Sequence, residues 1–340
     1  MGFWDESFWL PENVSWNDLK SNATVLYPDV YDLLSTVKYG GVMLLVRVLI
    51  ECFIFLPIGH IFGYIDAPQG ISNRIVAHLK FGFAGKSKFK RVAETAWRFT
   101  FFVFAWFFGS LAVMWNEPQL RDVTECWRNW PHHPISAGVW WYYMIETSFY
   151  WALLFSSVAF DIRRADFLQM TLHHTVTLLL LYMSFTMNMV RVGTLILFSH
   201  DLADIFIELG KLFRYANWQI PLMVLFVVFL ILWTLTRLIY FPFWIIYSVL
   251  FDAPSLIQSN YRWENLLQRP IVPRILVAML LCLLLLHIFW TYLIVMIAVN
   301  SISGGELDDI REGDETSDEE MKKTTRTSNN VKRGDEKKTQ

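Results

Sequence analysis

The chain has 340 residues, of which 54% are hydrophobic, 17% aromatic and only 18% charged, with a mean hydropathy of +0.35. Soluble domains carry more charge and lack apolar runs this long, so the composition excludes a soluble globular protein and predicts an all-α, polytopic membrane protein. The net charge of −2 argues neither for nor against nucleic acid, but the charges are segregated, basic in one early loop and largely acidic in the tail, and no nucleic-acid partner is expected.

Residues 1–38 read as an N-terminal arm. Its opening, MGFWDESFWLPENVSW, has no basic region followed by an apolar core, and Glu6 stands where a myristoylation signal wants Ser or Thr. Neither a cleaved signal nor an N-terminal lipid is expected. Seven apolar runs follow, at about 40–64, 97–115, 139–160, 167–186, 190–211, 220–247 and 274–298, each near the roughly 20 residues that cross a bilayer's hydrocarbon. A first transmembrane helix over 39–64 therefore precedes a basic loop at 65–96, a six-span region at 97–299 and a tail at 300–340.

The 65–96 loop holds Arg74, Lys80, Lys86, Lys88, Lys90 and Arg91 against Asp66 and Glu94. This bias places the loop in the cytosol and the N-terminus in the lumen. Two sequons in that arm, Asn13-Val14-Ser15 and Asn22-Ala23-Thr24, make Asn13 and Asn22 candidate glycosylation sites. The 116–138 loop falls on the lumenal side, the Arg163-Arg164 loop on the cytosolic side, and a tight lumenal turn at Asn188 joins the fourth and fifth spans. The sixth run contains Pro242 and continues to Phe251, which reads as a kinked or interfacial end rather than an eighth span. Seven spans put the tail in the cytosol. From about residue 301 its composition cannot support a core, so it is expected to be disordered. Thr316 and Ser317 precede acidic residues there as candidate phosphorylation sites. The terminal Lys337-Lys338-Thr339-Gln340 fits a dilysine signal for return to the endoplasmic reticulum. Cys52, Cys126 and Cys282 offer neither a disulfide framework nor metal spacing, and no internal repeat is present.

Ionisable groups at bilayer depth are costly and usually face a cavity or one another. Here they cluster: Glu146 and Tyr150 in the third span, His173 and His174 in the fourth, His200, Asp201, Asp204, Glu208 and Lys211 in the fifth, and Arg237 in the sixth. Positions 201, 204 and 208 share one stripe of a helix. At the helical rise, His173 and His174 lie roughly 9–11 Å from the cytosolic end of their span, and Asp204 and Asp201 roughly 12 and 16 Å from the same surface. Histidine and aspartate are thus brought to similar levels, where a carboxylate beside an imidazole would make a general base or nucleophile. Glu146 and Arg237 read equally well as site residues or as a buried pair that orders the bundle. Glu208 and Lys211 could equally snorkel to the interface. His132 and His133, in the lumenal loop, are expected in turn or interface roles, and His287 in a helix–helix contact.

The string DIRRADFLQMTLHHTVTLLLLYMSFTMNMVRVGTLILFSHDLADIFIELGKLF, with ETAWRFTFF and YYMIETSFYWALL upstream, resembles the Lag motif region of ceramide synthases within the TLC-domain superfamily, over roughly residues 90–300. FWLPENVSW and ELDDIREGDETSDEE resemble the two ends of that family. The resemblance implies a TLC-type helical bundle of about seven spans with an intramembrane polar pocket, in the endoplasmic reticulum membrane. It implies an enzyme that joins a fatty acyl-CoA to the amine of a sphingoid base, with no further cofactor and no metal. The family's histidine pair and the two aspartates of its HDxxD segment carry over onto His173, His174, Asp201 and Asp204; Glu146, Tyr150, Arg237 and Glu208 are candidate supporting or substrate-binding residues from the intramembrane polar cluster itself. Two features depart from the family pattern. The 65–96 loop is too short for the three helices of a homeobox-like domain, although Lys88, Lys90 and Arg91 could meet acyl-CoA phosphates or lipid heads. DIREGDE replaces a serine-containing acidic motif to which homo- or hetero-dimer contacts are attributed.

Two rival readings use the same residues. A membrane di-iron hydroxylase needs HxxxH and HxxHH boxes, whereas the eight histidines here are scattered. A non-enzymatic lipid transporter or sensor would use the cluster as a proton relay. For an acyltransferase, one histidine would accept the acyl group or deprotonate the amine, and the sequence leaves open which does which. Acyl-chain length has no readable code, and the lumenal loop at 252–273 is the expected selector.

Overall fold

The structure, a computed structural model, describes residues 2–22, 25–61, 70–80, 82–84, 88–115 and 117–302, the side chains of 88 and 112–114 excepted. Thr316, Ser317, Lys337 and Lys338 lie outside the described residues, as do Asp66, Lys86 and the last two positions of the second sequon. Among the described residues the chain is helical without any strand. The long helices are α1 (Val30–Ile61), α2 (Lys88–Phe108, continuing in wider turns over Gly109–Met114), α3 (Ala137–Ala159), α4 (Phe167–Thr186), α5 (Val190–Tyr215), α6 (Gln219–Ile257) and α7 (Val272–Ile302).

Local chemistry starts and joins these helices. The Asp29 carboxylate accepts from the Tyr31 N–H ahead of α1, and the Ser136 hydroxyl from Val139 N–H ahead of α3. Asn188, at φ 54°, turns α4 into α5 in the left-handed conformation that Asn tolerates. Its buried amide donates to the carbonyls of Pro131 and His133 at 2.7 and 2.9 Å, which stitches the loop before α3 to that turn. In α6 the turns widen over Thr234–Ile246 and carry the helix past Pro242, which lacks the N–H an ordinary turn would use. The run expected to end near Phe251 therefore continues as one helix to Ile257. The described residues of the 65–96 segment are largely helical. They include a short amphipathic helix at Ile71–Leu79, and α2 begins among them at Lys88.

The helices form a closed ring. α3 packs on α4, α4 on α7, α7 on the middle of α6, α6 on α5, α5 on α2, and the far part of α2 back on α3. α1 lies outside the ring against α3, where Gly40 permits the approach: a Cβ there would lie 2.9 Å from that of Trp151 and 3.0 Å from the Ser148 carbonyl oxygen. α1, α6 and α7 are long and apolar enough to cross a membrane, and only 22%, 22% and 33% of their apolar windows are buried. Side chains such as Leu45, Leu49, Val224, Ile231, Leu285 and Val299 thus make an apolar exterior, which lipid and not water solvates.

The two ends of the ring differ. At one end the arm lies against the loops, with Phe8 C=O accepting from Ile271 N–H and Leu26 C=O from Ile135 N–H, both at 2.9 Å. Phe3, Trp4, Phe8, Trp9 and Trp16 pack edge to face and stacked within it. The opposite end is polar and carries the Ile71–Leu79 helix and the 160–166 loop.

Candidate active site

At its polar end the ring encloses a cavity of about 160 Å³ rimmed by the 160–166 loop. All six ring helices line it: Arg98 from α2, Tyr150 from α3, His173 and His174 from α4, Asp204 and Glu208 from α5, Arg237 from α6 and Trp290 from α7. The matched depths read from the sequence are thus realised as a shared cavity for His173, His174 and Asp204, but not for Asp201. A second cavity, of about 70 Å³ and almost wholly apolar, continues inward from it. Tyr150 and His173 line both cavities and stand at their junction.

The His173 ring lies 5.7 Å from that of His174, 6.4 Å from Tyr150 and 5.4 Å from Trp290, edge on to the indole. His174 is buried beside Tyr150, 6.2 Å from its ring. Neither Nδ1 has a hydrogen-bond partner. Held by ring packing alone, both imidazoles keep nitrogen lone pairs free for chemistry.

The aspartates are engaged elsewhere, which corrects the expected histidine–aspartate pairing. No hydrogen bond links His173 or His174 to either aspartate among the described residues. Asp204 receives both of its bonds from Arg237 Nη2, at 2.9 Å each. Asp201 is fully buried behind the cavity wall and accepts from the Tyr142 hydroxyl at 3.2 Å. The expected Glu146–Arg237 pair does not form either. Glu146 is fully buried against Asp201, and neither of its oxygens receives a bond from a donor. Glu208 and Lys211 do not snorkel: they pair at 2.6 Å with side chains only 6% and 10% exposed. Six of the eight named site residues therefore line one cavity, and Asp201 and Glu146 form the shell behind it.

Two further histidines belong to this constellation. Arg237 donates to the His200 carbonyl at 3.0 Å and, through Nη1, meets His287 Nε2 at 3.3 Å. Arginine can only donate, so His287 Nε2 is the acceptor and its proton sits on Nδ1. His287 is thus the helix–helix contact expected from the sequence, and its partner is the cation of the site. The His200 ring lies 5.1 Å from that of His287, and His200 lines the apolar cavity beside His173. The sequence placed His200 in the polar cluster and His287 in a helix contact, but it offered Arg237 only Glu146 as a partner and did not reveal that both histidines meet Arg237.

The polar end is closed by ion pairs that sequence reasoning missed. Arg47 of α1 reaches Glu51 at 2.8 Å and Asp161 at 2.9 Å, and Glu51 Oε2 meets His78 Nε2 at 2.9 Å. Lys90 pairs with Glu94 at 3.2 Å and contacts the Phe83 carbonyl, and Arg98 pairs with Asp161 at 3.4 Å. Lys90 is therefore buried in this network and does not face phosphates or lipid heads as the sequence suggested. Burial alone would raise the Asp161 carboxyl, but the Arg47 guanidinium, and next Arg98, hold it well below the usual carboxylate range. The signal in the sequence was Arg47 and Glu51, four residues apart inside an apolar run. His133 is buried in the turn before α3, as expected. The three cysteines are free, and no group of three or more His, Cys, Asp or Glu converges as a metal site among the described residues.

Comparison with known proteins places this geometry in context. Residues 91–296 match the TLC domain family. The chain is 43% identical over 319 residues to ceramide synthase hyl-2 of Caenorhabditis elegans, covering 92% of this chain and 93% of that protein. It is 41% identical over 318 residues to ceramide synthase hyl-1 of the same organism, covering 91% and 83%. It is 36% identical over 361 residues to human ceramide synthase 5, covering 95% and 89%.

Proposed function

The chain belongs to the TLC domain family, with a match that runs through every helix of the ring, and on that premise we propose that it is a ceramide synthase, an acyl-CoA-dependent N-acyltransferase. Its substrates are a fatty acyl-CoA and a sphingoid base, its product is ceramide or dihydroceramide, and the reading needs no cofactor beyond the acyl-CoA. The likeness to named synthases does not favour the transporter or sensor alternative.

One observation carries the mechanism: His173 stands where a polar cavity meets a dry one. With CoA in the polar cavity and the acyl chain in the apolar one, the thioester carbonyl lies at that junction. The unprotonated imidazole nitrogen of His173 attacks it, the C–S bond breaks, and CoA leaves as the thiolate, which takes the proton of the acyl-imidazolium and leaves a neutral acyl-imidazole. The sphingoid ammonium passes one proton to His174, the resulting amine attacks the acyl-imidazole, the amide forms as the acyl–nitrogen bond to the ring breaks, and the departing imidazole takes up the amine's second proton. His174 serves as its working partner, and Asp204, 23% exposed towards the cavity, receives the ammonium. Arg237 and Tyr142 hold the two aspartates, with Glu146, Tyr150 and Glu208 supporting the site.

The same reading sets the protein in the endoplasmic reticulum membrane with about seven spans, its arm in the lumen and its tail in the cytosol. Asn13 and Asn22 are exposed on the arm, as glycan acceptors must be. The tail supplies Lys337 and Lys338 for retrieval and Thr316 and Ser317 for phosphorylation, and a homo- or hetero-dimer with related synthases is compatible with it.

Detergent-purified protein given acyl-CoA and sphinganine tests the reading. Replacing His173 or His174 by Ala, or Asp201 or Asp204 by Asn, is expected to cut N-acylation on the order of 100-fold or more, with expression near normal. Acyl-CoA alone should release CoA and leave an acyl adduct on His173, seen by intact mass. Substantial activity in a well-folded His173→Ala/His174→Ala protein would show that the histidines are packing residues.

A further inference from the structure

The apolar cavity does not end blindly. A third cavity, of about 60 Å³, lies beyond it at the aromatic end of the ring, and four residues line both: Trp127, Met189, Val249 and Leu276. Trp127 is the largest of them and is only 2% exposed. It comes from the loop before α3, and its indole N–H donates to the Ser248 hydroxyl of α6 at 2.8 Å, which fixes the plane of the ring. Pro11 of the arm and Tyr261 of the 258–271 loop wall the third cavity on its far side.

We propose that Trp127 is the gate that sets how long an acyl chain this enzyme accepts, an inference that rests on the synthase reading above. The length of the chamber before the gate follows from helix geometry. From His173 to Ser184 on α4, and from His200 back to Met189 ahead of α5, the lining residues are eleven positions apart, which is about 16 Å at the helical rise. An extended chain advances about 1.25 Å per carbon, from a C–C bond near 1.5 Å. A chain attached at His173 therefore meets Trp127 after about 13 carbons. Anything longer must pass the indole edge into the third cavity. Selection thus has a component outside the 252–273 loop that the sequence suggested, because that loop walls only the far chamber.

The hydrogen bond to Ser248 makes the gate testable with a mild change. Ser248→Ala frees the indole to swing, and Trp127→Phe removes one ring of the barrier, and neither residue touches the reacting atoms. The measured quantity is the ratio of kcat/KM for a 22-carbon to that for a 14-carbon acyl-CoA. It is expected to rise on the order of tenfold in each variant, the scale on which hydrophobic pockets discriminate chain length. Ala253→Phe, which fills the third cavity beyond the gate, is expected to lower the same ratio. An unchanged ratio in Ser248→Ala and Trp127→Phe, with 14-carbon activity intact, overturns the gate while leaving the synthase reading in place. Should Trp127→Phe not fold, Ser248→Ala decides alone. Wild-type protein that N-acylates with neither substrate overturns the synthase reading, and the gate falls with it.

Discussion

Arg237 is the group on which the polar site depends mechanically. Its side chain is 4% exposed and makes four contacts from three directions: both oxygens of Asp204, the His200 carbonyl and His287 Nε2. Arg237→Met keeps much of the volume and removes every donor. Breaking a buried pair by deleting one partner leaves the other charge uncompensated, at about 3–5 kcal/mol. Asp204 is 23% exposed to the cavity, so some of that loss is recovered by solvation, and we expect the lower end, about 3 kcal/mol. Arg237→Lys restores charge but not the two-pronged donor geometry, and should recover only part of the loss. Thermal unfolding of purified protein in one detergent, followed by glycan-independent tryptophan fluorescence, reads the effect. The decisive arm is the double-mutant cycle with Asp204→Asn, where the Arg237→Met effect should shrink by about 2 kcal/mol because its charged partner is already gone. An Arg237→Met effect below about 1 kcal/mol, or one of equal size in both backgrounds, would refute the claim that Arg237 Nη2 holds Asp204.

Two other outcomes are expected. Asn13→Gln and Asn22→Gln should remove glycans one at a time, seen as stepwise mobility shifts, and an arm that is unglycosylated and protease-accessible from the cytosol would invert the orientation. Asp161, depressed in the folded state by Arg47 and Arg98, contributes stability that is fully present above the unfolded carboxylate value near 3.9 and is lost as pH falls towards its lower folded value. Asp161→Asn should therefore be less stable at neutral pH and lose less on acidification below about pH 4 than wild type; equal acid slopes for the two proteins would remove Asp161 from the account.

What the sequence made legible was depth and helix ends. α4 spans the residues expected of it because an uninterrupted apolar run lies between a charged loop and a turn with Asn188 at its centre. Matched depth put His173, His174 and Asp204 in one cavity. Pairing was not legible, because periodicity fixes which face of a helix a residue occupies but not how that face is rotated against its neighbours. Asp201 and Asp204 are three positions apart, about 60° around the helix. That difference turns Asp204 to the cavity and Arg237, and Asp201 to Tyr142 of α3. Lys90 and Arg47 were misread or missed for a related reason. The i,i+4 partners Glu94 of Lys90 and Glu51 of Arg47 stood in the sequence as a spacing, but Asp161, which meets both cations, comes from a loop far along the chain and carries no such mark.

The division between the two cavities also explains why an acyl-imidazole on His173 would react with an amine in preference to water. On one side it faces the apolar chamber, whose lining offers almost no polar surface to hold a water molecule. On the other it faces the polar cavity, whose rim is tied together by the Arg47, Lys90, Arg98 and Asp161 pairs. In that cavity Asp204 is the carboxylate with surface turned to a ligand, while Glu208 is occupied by Lys211 and Asp161 by its cations. In the proposed mechanism an ammonium group would bind at Asp204 beside the histidines, and the sphingoid chain would then fill space that water would need. The two bonds from Arg237 Nη2 fix the orientation of the Asp204 carboxylate for that encounter. In the proposed mechanism, the residue that looked in the sequence like a strut between helices would thus place the second substrate.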